Sequence, residues 1–300
     1  MNYTTFNTYE IDSEEIIELF EENKGLNTGF KILGDLDLSD SEITELPNNL
    51  VIEGSLFLSG SEITKLPDDL LVKGSLDLSF TQITELPEGF KVYGDLELEN
   101  SQITELPEKL QVVGNLDLSG SLIKKLPENL YVGGSLILSN TQIKELPNDL
   151  KVYGCLDLSS SLIEKLPDNF TVKGSLDLSD TDITELPDGL IVEGDLNLSD
   201  SQITELPDDF EVNGDLDLSN SKITELPESF QVFGNLDLSD TEIKELPNGL
   251  KVWGNLDLSN TPITKLPDTL EVWGSLDICN TQIRELPKTL KVRRVIYKDF

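Results

Sequence analysis

One unit, L-P-x-x-L-x-V-x-G-x-L-x-L-S-x-T-x-I-T-x, returns every 20 residues without an insertion, and so strict a period leaves few folds open. Glycine stands at Gly34, Gly54, Gly74 and every twentieth position to Gly274, and the Leu-Pro pair recurs from Leu46-Pro47 to Leu286-Pro287. Of the 14 prolines only Pro262 falls outside that column. Self-similarity at this length marks stacked coils, because one coil cannot bury its own apolar edge and needs neighbours to do so.

Within a unit, Val192, Gly194, Leu196 and Leu198 alternate with Glu193, Asp195 and Asn197, the period of a strand with one buried face. After it, Ser201, Ile203, Leu206, Phe210 and Val212 follow irregular apolar spacing broken by Pro207. That predicts a return path of turns and short extended or 3₁₀ pieces without a full helix. The whole reads as a mostly β, single-domain solenoid of about thirteen units with parallel strands, spanning residues 30–291. Its ends need caps. Asp12-Ser13-Glu14-Glu15 offers an N-cap with acids in the first turn, and Ile16, Ile17, Leu19 and Phe20 give an apolar side to a short helix ending near Gly25, so residues 1–29 form the N-terminal cap. Residues 292–300 form the C-terminal cap, where the alternating segment Val292 to Tyr297 pairs with the last strand and blunts its edge.

The stretch L-x-L-S-x-T-x-I-T-x-L-P-x-x-L, as in Leu196 to Phe210, resembles the leucine-rich repeat, and the 20-residue length with Leu-Pro looks like the short repeats of bacterial LPX-type effectors. The resemblance covers roughly residues 30–292. It implies a curved or superhelical array, parallel strands on the concave side, and protein binding as the usual activity. Two departures stand out. Where the family places an asparagine that bonds neighbouring backbones, this chain has Ser41, Ser61, Thr81 and so on to Thr281, so the inner ladder is expected to be one of hydroxyls. The Val-x-Gly element, as at Val192 and Gly194, replaces a family leucine and changes the expected curvature. Nothing in the chain resembles the ubiquitin-ligase domain of some of those effectors, so no enzymatic activity is carried over.

Composition narrows the function. Histidine is absent, which removes the commonest proton-transfer side chain and the commonest metal ligand. The net charge of -35 and a pI near 4.1 repel nucleic acid and anionic membrane and attract basic partners within a Debye length. Direct nucleic-acid or membrane binding is therefore not expected. Cys155 and Cys279 lie far apart with no metal-ligand spacing and read as free thiols. The start lacks a signal-peptide pattern and no stretch approaches the roughly 18 apolar residues of a membrane span. The expectation is an intracellular protein, with non-classical export as an effector left open. Neither a calcium-binding nonapeptide nor a nucleophile motif nor a phosphate-binding loop is present, and no catalytic residue, metal or cofactor is assigned.

The residue between the two strand leucines points outward, and there stand Asp37, Asp77, Glu97, Asp117, Asp157, Asp177, Asp217, Asp237, Asp257 and Asp277, interrupted by Phe57, Ile137 and Asn197. Strand spacing of about 4.8 Å makes such neighbours repel by roughly 1 kcal/mol per pair in water, so sheet stability alone would not select this column. Solubility and protection from edge aggregation are one reading, and a binding face for a basic partner is another. Two further acidic columns lie on the return path, one including Glu85, Glu105, Glu185 and Glu205, the other Asp68, Glu88, Glu108 and Asp168. A stack of this many coils spans very roughly 60 Å, over which duplex DNA carries about 36 phosphate charges, so DNA mimicry is an alternative.

Upstream of the acids, Tyr93, Tyr153, Phe233, Trp253 and Trp273 share an outward column. Exposed tyrosine and tryptophan are frequent interface anchors, and stacking between neighbouring coils is the competing explanation. Trp253 and Trp273 beside Asp257 and Asp277 form the preferred contact patch. The C-terminal Arg284, Lys288, Lys291, Arg293, Arg294 and Lys298 oppose an acidic N-terminal cap with Glu14, Glu15, Glu18, Glu21 and Glu22. End-to-end self-association and neutralisation of the nearby acids both follow from that polarity. The sequence thus predicts a non-enzymatic interaction module whose acidic, partly aromatic strand face receives a basic protein. The alternatives are a DNA mimic in the groove of a nucleic-acid-binding protein and a structural spacer.

Overall fold

A computed structural model describes residues 6–9, 13–22, 29–208 and 210–299. The chain divides into two compact units, Met1–Ile143 with Asp149–Gly154 and Lys144–Asn148 with Cys155–Phe300, and both are parallel β-solenoids built from the same coil. Each interior coil turns five or six apolar side chains inward. Val192, Leu196, Leu198, Ile203, Leu206 and Phe210 are all at most 6% exposed, and each such burial is worth about 1.5–3 kcal/mol relative to solvent.

The alternating segment is two strands rather than one. Ile191–Val192 and Leu196–Asn197 are separate two-residue strands with a bend at Glu193 and Gly194. Physically, the glycine is where successive backbones touch: a Cβ on Gly194 would lie 2.7 Å from Ser175 N and 2.8 Å from Gly174 C. Without side chains the chain turns this corner while Gly194 N donates to Gly174 O at 3.1 Å. Inward and outward alternation survives the corner because Val192 and Leu196 both point into the core.

Each coil therefore contributes a valine strand before the glycine and a leucine strand after it. In the first unit the leucine strands pair in parallel register from Leu36–Asp37 to Leu136–Ile137, and in the second from Leu156–Asp157 to Ile296–Tyr297. The strands before the glycine form two four-stranded sheets in the first unit, one of them completed by Phe6–Tyr9, and a seven-stranded sheet in the second. Between the two sheets of the first unit, at Leu71–Val72 and Lys91–Val92, the glycine bond still joins the coils, with Gly94 N on Gly74 O at 3.0 Å.

After each leucine strand the chain reverses through a residue with positive φ, such as Asp180 (54°) or Asn220 (56°), types that tolerate the left-handed region. The return path is irregular, as the proline column requires: no strand there needs the missing N–H, and Pro107 O accepts from Leu110 N at 3.1 Å to close a turn. Among the described residues the helix Ser13–Glu22 stands alone. Its Ile16 and Phe20 are buried, and Phe20 meets Phe30 edge-on at 5.2 Å. Asp12 and Gly25, expected at its ends, lie outside the described residues. A strand the sequence reading did not anticipate, Phe6–Tyr9, pairs in parallel with Gly29–Ile32. At the other end Lys291–Val292 pairs with Glu271–Val272 and Ile296–Tyr297 with Leu276–Asp277, the pairing its alternation foretold.

Candidate interaction surface

The hydroxyl column is buried, but it serves its own coil. Thr181 Oγ1 donates to Leu178 O at 2.6 Å, and Ser61, Thr81, Ser101, Thr141, Ser161, Ser201, Ser221, Thr241 and Thr261 make the same bond to the leucine three residues earlier. Neighbouring coils are instead joined by backbone, as where Asp180 N donates to Ser199 O at 3.0 Å. A hydroxyl has one proton to donate and gives it to its own coil, and the bonds between coils are made by the main chain.

The acidic column sits on the leucine strands, with Asp157, Asp177, Asp217, Asp237, Asp257 and Asp277 half-buried. Each also caps the turn that follows. Asp157 Oδ1 accepts from Ser159 N at 2.9 Å and Ser159 Oγ at 2.7 Å, Asp177 does the same to Ser179, and Asp217, Asp237 and Asp257 accept from the N–H two residues on. Asp277 accepts from Cys279 N at 2.9 Å. This local bond gives these aspartates a stabilising role within their own coils, a role the sequence reading did not foresee. Asn197 makes the same two bonds to Ser199 through its amide oxygen.

Electrostatics along the column follow from these contacts. The Ser39 N–H and hydroxyl hold the Asp37 carboxyl below its ordinary value. Burial pushes Asp237 up, and the charges of Asp257 and Asp217 add to the effect beyond what Ser239 offsets. Burial likewise raises Glu97, helped by Asp77, Asp95, Asp117 and Glu99. Bonding to Asp277, with partial burial, pushes the Cys279 thiol up to about 11, so it stays protonated and unreactive at neutral pH. Neither cysteine is in a disulfide among the described residues, and Cys155 Sγ accepts from Ser175 N at 3.4 Å.

The aromatic column lies at the bend between the two strands, and not on a strand face as the alternation implied. Phe233 and Trp253 stack with centroids 4.8 Å apart at 22°, and Trp253 and Trp273 at 5.0 Å and 4°. Tyr153 leans on Tyr131 of the adjacent column at 5.6 Å, while Lys91 Nζ sits 4.6 Å over the Tyr93 ring. Three of the five predicted rings are thus assembled into one strip and two stand apart. Other neighbours in the column form ion pairs, Glu53 with Lys73 at 2.6 Å and Lys173 with Glu193.

Phe80 escaped sequence reading. It occupies the left-handed turn position (φ 58°) that other coils give to Gly, Asn, Asp or Ser, and it is 55% exposed. The signal was there as the one aromatic in that column, but the column's backbone requirement becomes evident only in three dimensions. On the return path, Lys65, Asp68, Glu85, Glu88, Glu105 and Glu108 line a shallow groove of about 580 Å3. No group of potential metal ligands is found among the described residues, and no helix there is long and apolar enough to cross a membrane. The side chains of Glu14, Glu15, Glu21 and Glu22 lie outside the described residues, while Glu18 is exposed.

Stacked parallel coils of this kind define a leucine-rich-repeat fold. Solved structures similar to the chain include YopM, a leucine-rich effector protein of Yersinia pestis, at 22% identity and TM-score 0.55 over 88% of this chain and 83% of that one. YopM from Yersinia enterocolitica matches at 22% identity and TM-score 0.57, over 94% and 68% of the two chains. A chain of the Toll–Spätzle complex of Drosophila matches at 18% identity and TM-score 0.53, over 87% and 45%. No protein-family profile and no curated protein sequence matches.

Proposed function

We propose that the chain is a non-enzymatic protein-interaction module whose leucine-strand carboxylates, together with the aromatic strip at the bends, receive a basic protein surface. The observation that carries this reading is Asn197. Its amide oxygen caps Ser199 as well as Asp157 caps Ser159, and the coils of Phe57 and Ile137 form the same strand with no acceptor there, so the coil has no need of a negative charge in this column. Ten coils nevertheless carry a carboxylate there, although burial first and the neighbouring carboxylates second raise Asp237 and Glu97. Charge kept against its own repulsion, beside exposed rings, supports recognition of a cationic partner with salt-sensitive association. The similar structures are consistent with this class: one is a leucine-rich effector protein and another is a chain of the Toll–Spätzle complex. Export as an effector belongs to the same proposal.

The test uses the immobilised chain and purified basic proteins, some nucleic-acid-binding and some not, at low and high salt, with duplex DNA as competitor. Salt-sensitive capture that includes proteins without affinity for DNA, and that DNA does not reverse, is the expected result. Capture confined to DNA-binding proteins and released by duplex DNA moves the reading to a DNA mimic. No capture at low salt overturns it in favour of a structural spacer.

A further inference from the structure

We propose that the open face of Phe233 is a subsite for an arginine side chain of the basic partner. The inference rests on the function proposed above and adds to it a place and a side chain. The stack Phe233, Trp253, Trp273 has two ends. At one, the Arg293 guanidinium lies 5.1 Å from the Trp273 centroid, within the range in which a cation is held by the ring's negative face. Trp253 has a ring on each side, so both of its faces are occupied. Phe233 has Trp253 on one side only. On the other the column continues with Asn213, Glu193 and Lys173, none of which carries a ring, and Phe233 is 52% exposed.

The coil on that open side supplies the complementary charge. Asp215 is exposed there, with its carboxylate oriented by Asn235 N at 2.7 Å and Asn235 Nδ2 at 2.8 Å, and Asp217 follows on the leucine strand. A planar guanidinium on Phe233 would repeat the arrangement that Arg293 makes at the far end, with carboxylates for its N–H groups. The same column takes up a cation elsewhere, where Lys91 lies over Tyr93, so ring-to-cation contact is a recurrent use of this surface.

Two peptides of equal length and charge, one arginine-rich and one lysine-rich, test the subsite by calorimetry and by tryptophan fluorescence of the stack. The parent chain is expected to bind the arginine peptide about two- to five-fold more tightly than the lysine one. Phe233→Ala should abolish that preference, bringing the affinity for the arginine peptide down to that for the lysine peptide. Asn213→Arg keeps the ring but lays a guanidinium of the chain's own on it, and should abolish the preference too, which decides the matter even if the alanine variant folds poorly. Equal binding of both peptides by the parent, or a preference that survives Asn213→Arg, overturns the subsite and leaves the broader function intact. If neither peptide binds the parent chain at low salt, both fall together.

Discussion

Two columns flank the glycine corner and behave differently. Three residues after the glycine, ten coils carry a carboxylate and one an asparagine, and the aspartates and Asn197 cap the turn of their own coil. One residue before the glycine, the column runs through Lys73, Tyr93, Val113, Gly133, Tyr153, Lys173, Glu193, Asn213 and Phe233 to Arg293. Its members bond across coils, as an ion pair at Lys173 and Glu193 and as rings at Trp253 and Trp273. A position that serves its own coil repeats with the coil, whereas a position answerable only to its neighbours is free to vary. The first column is nearly uniform in charge and the second is varied in chemistry.

The largest effect should come from the corner between these columns. Gly234→Ala sets a Cβ 2.6 Å from Gly214 C and O, which is backbone and cannot move aside, so about 3 kcal/mol of stability should be lost in urea unfolding. A loss below about 1 kcal/mol would mean that the glycine does not hold the coils together. Next, Asp157→Ala removes both bonds to Ser159 and should cost about 1 kcal/mol, while Asp157→Asn should cost no more than about 0.3 kcal/mol. Equal losses for the two would make the charge itself structural and erase the contrast between the columns. Phe80→Asn should gain about 1 kcal/mol by relieving a bulky residue at φ 58°; no gain would show that the ring packs well enough to offset the strain.

The smallest effect is that of a single ladder charge. Burial raises the folded-state value of Asp237, so the folded chain binds this proton more tightly than the unfolded chain. The resulting cost is absent below the ordinary carboxylate value, sets in as pH rises through it, and is complete above the folded value. Asp237→Asn should therefore stabilise by less than about 0.5 kcal/mol at pH 7, after solvent screening, and by nothing in strong acid. A gain that persists in acid would assign the effect to something other than charge.

Much of this was legible beforehand. The inward side chains, the irregular return path and the parallel stacking follow from where apolar residues recur, and the acidic column was readable residue by residue. The turn-capping bonds were not, because an outward aspartate looks the same in sequence whether or not a serine two residues on turns back to it. Phe6–Tyr9 gave no sign of pairing with Gly29–Ile32, since four residues carry too little periodicity to register. The five aromatics were found together, but only Phe233, Trp253 and Trp273 stack, because Tyr93 and Tyr153 lack an aromatic neighbour one coil away in their own column.

What the sequence determined by itself is the repeating interior: a strict period states which residues must share a core, and burial energy makes that statement binding in every coil. What only the tertiary structure decided is the path between those residues. Alternation is the same for a straight strand and for two strands joined at a glycine corner, and the close approach of Gly194 to Gly174 selects the corner. The same approach leaves the side chains beside it to be matched by their neighbours in adjacent coils.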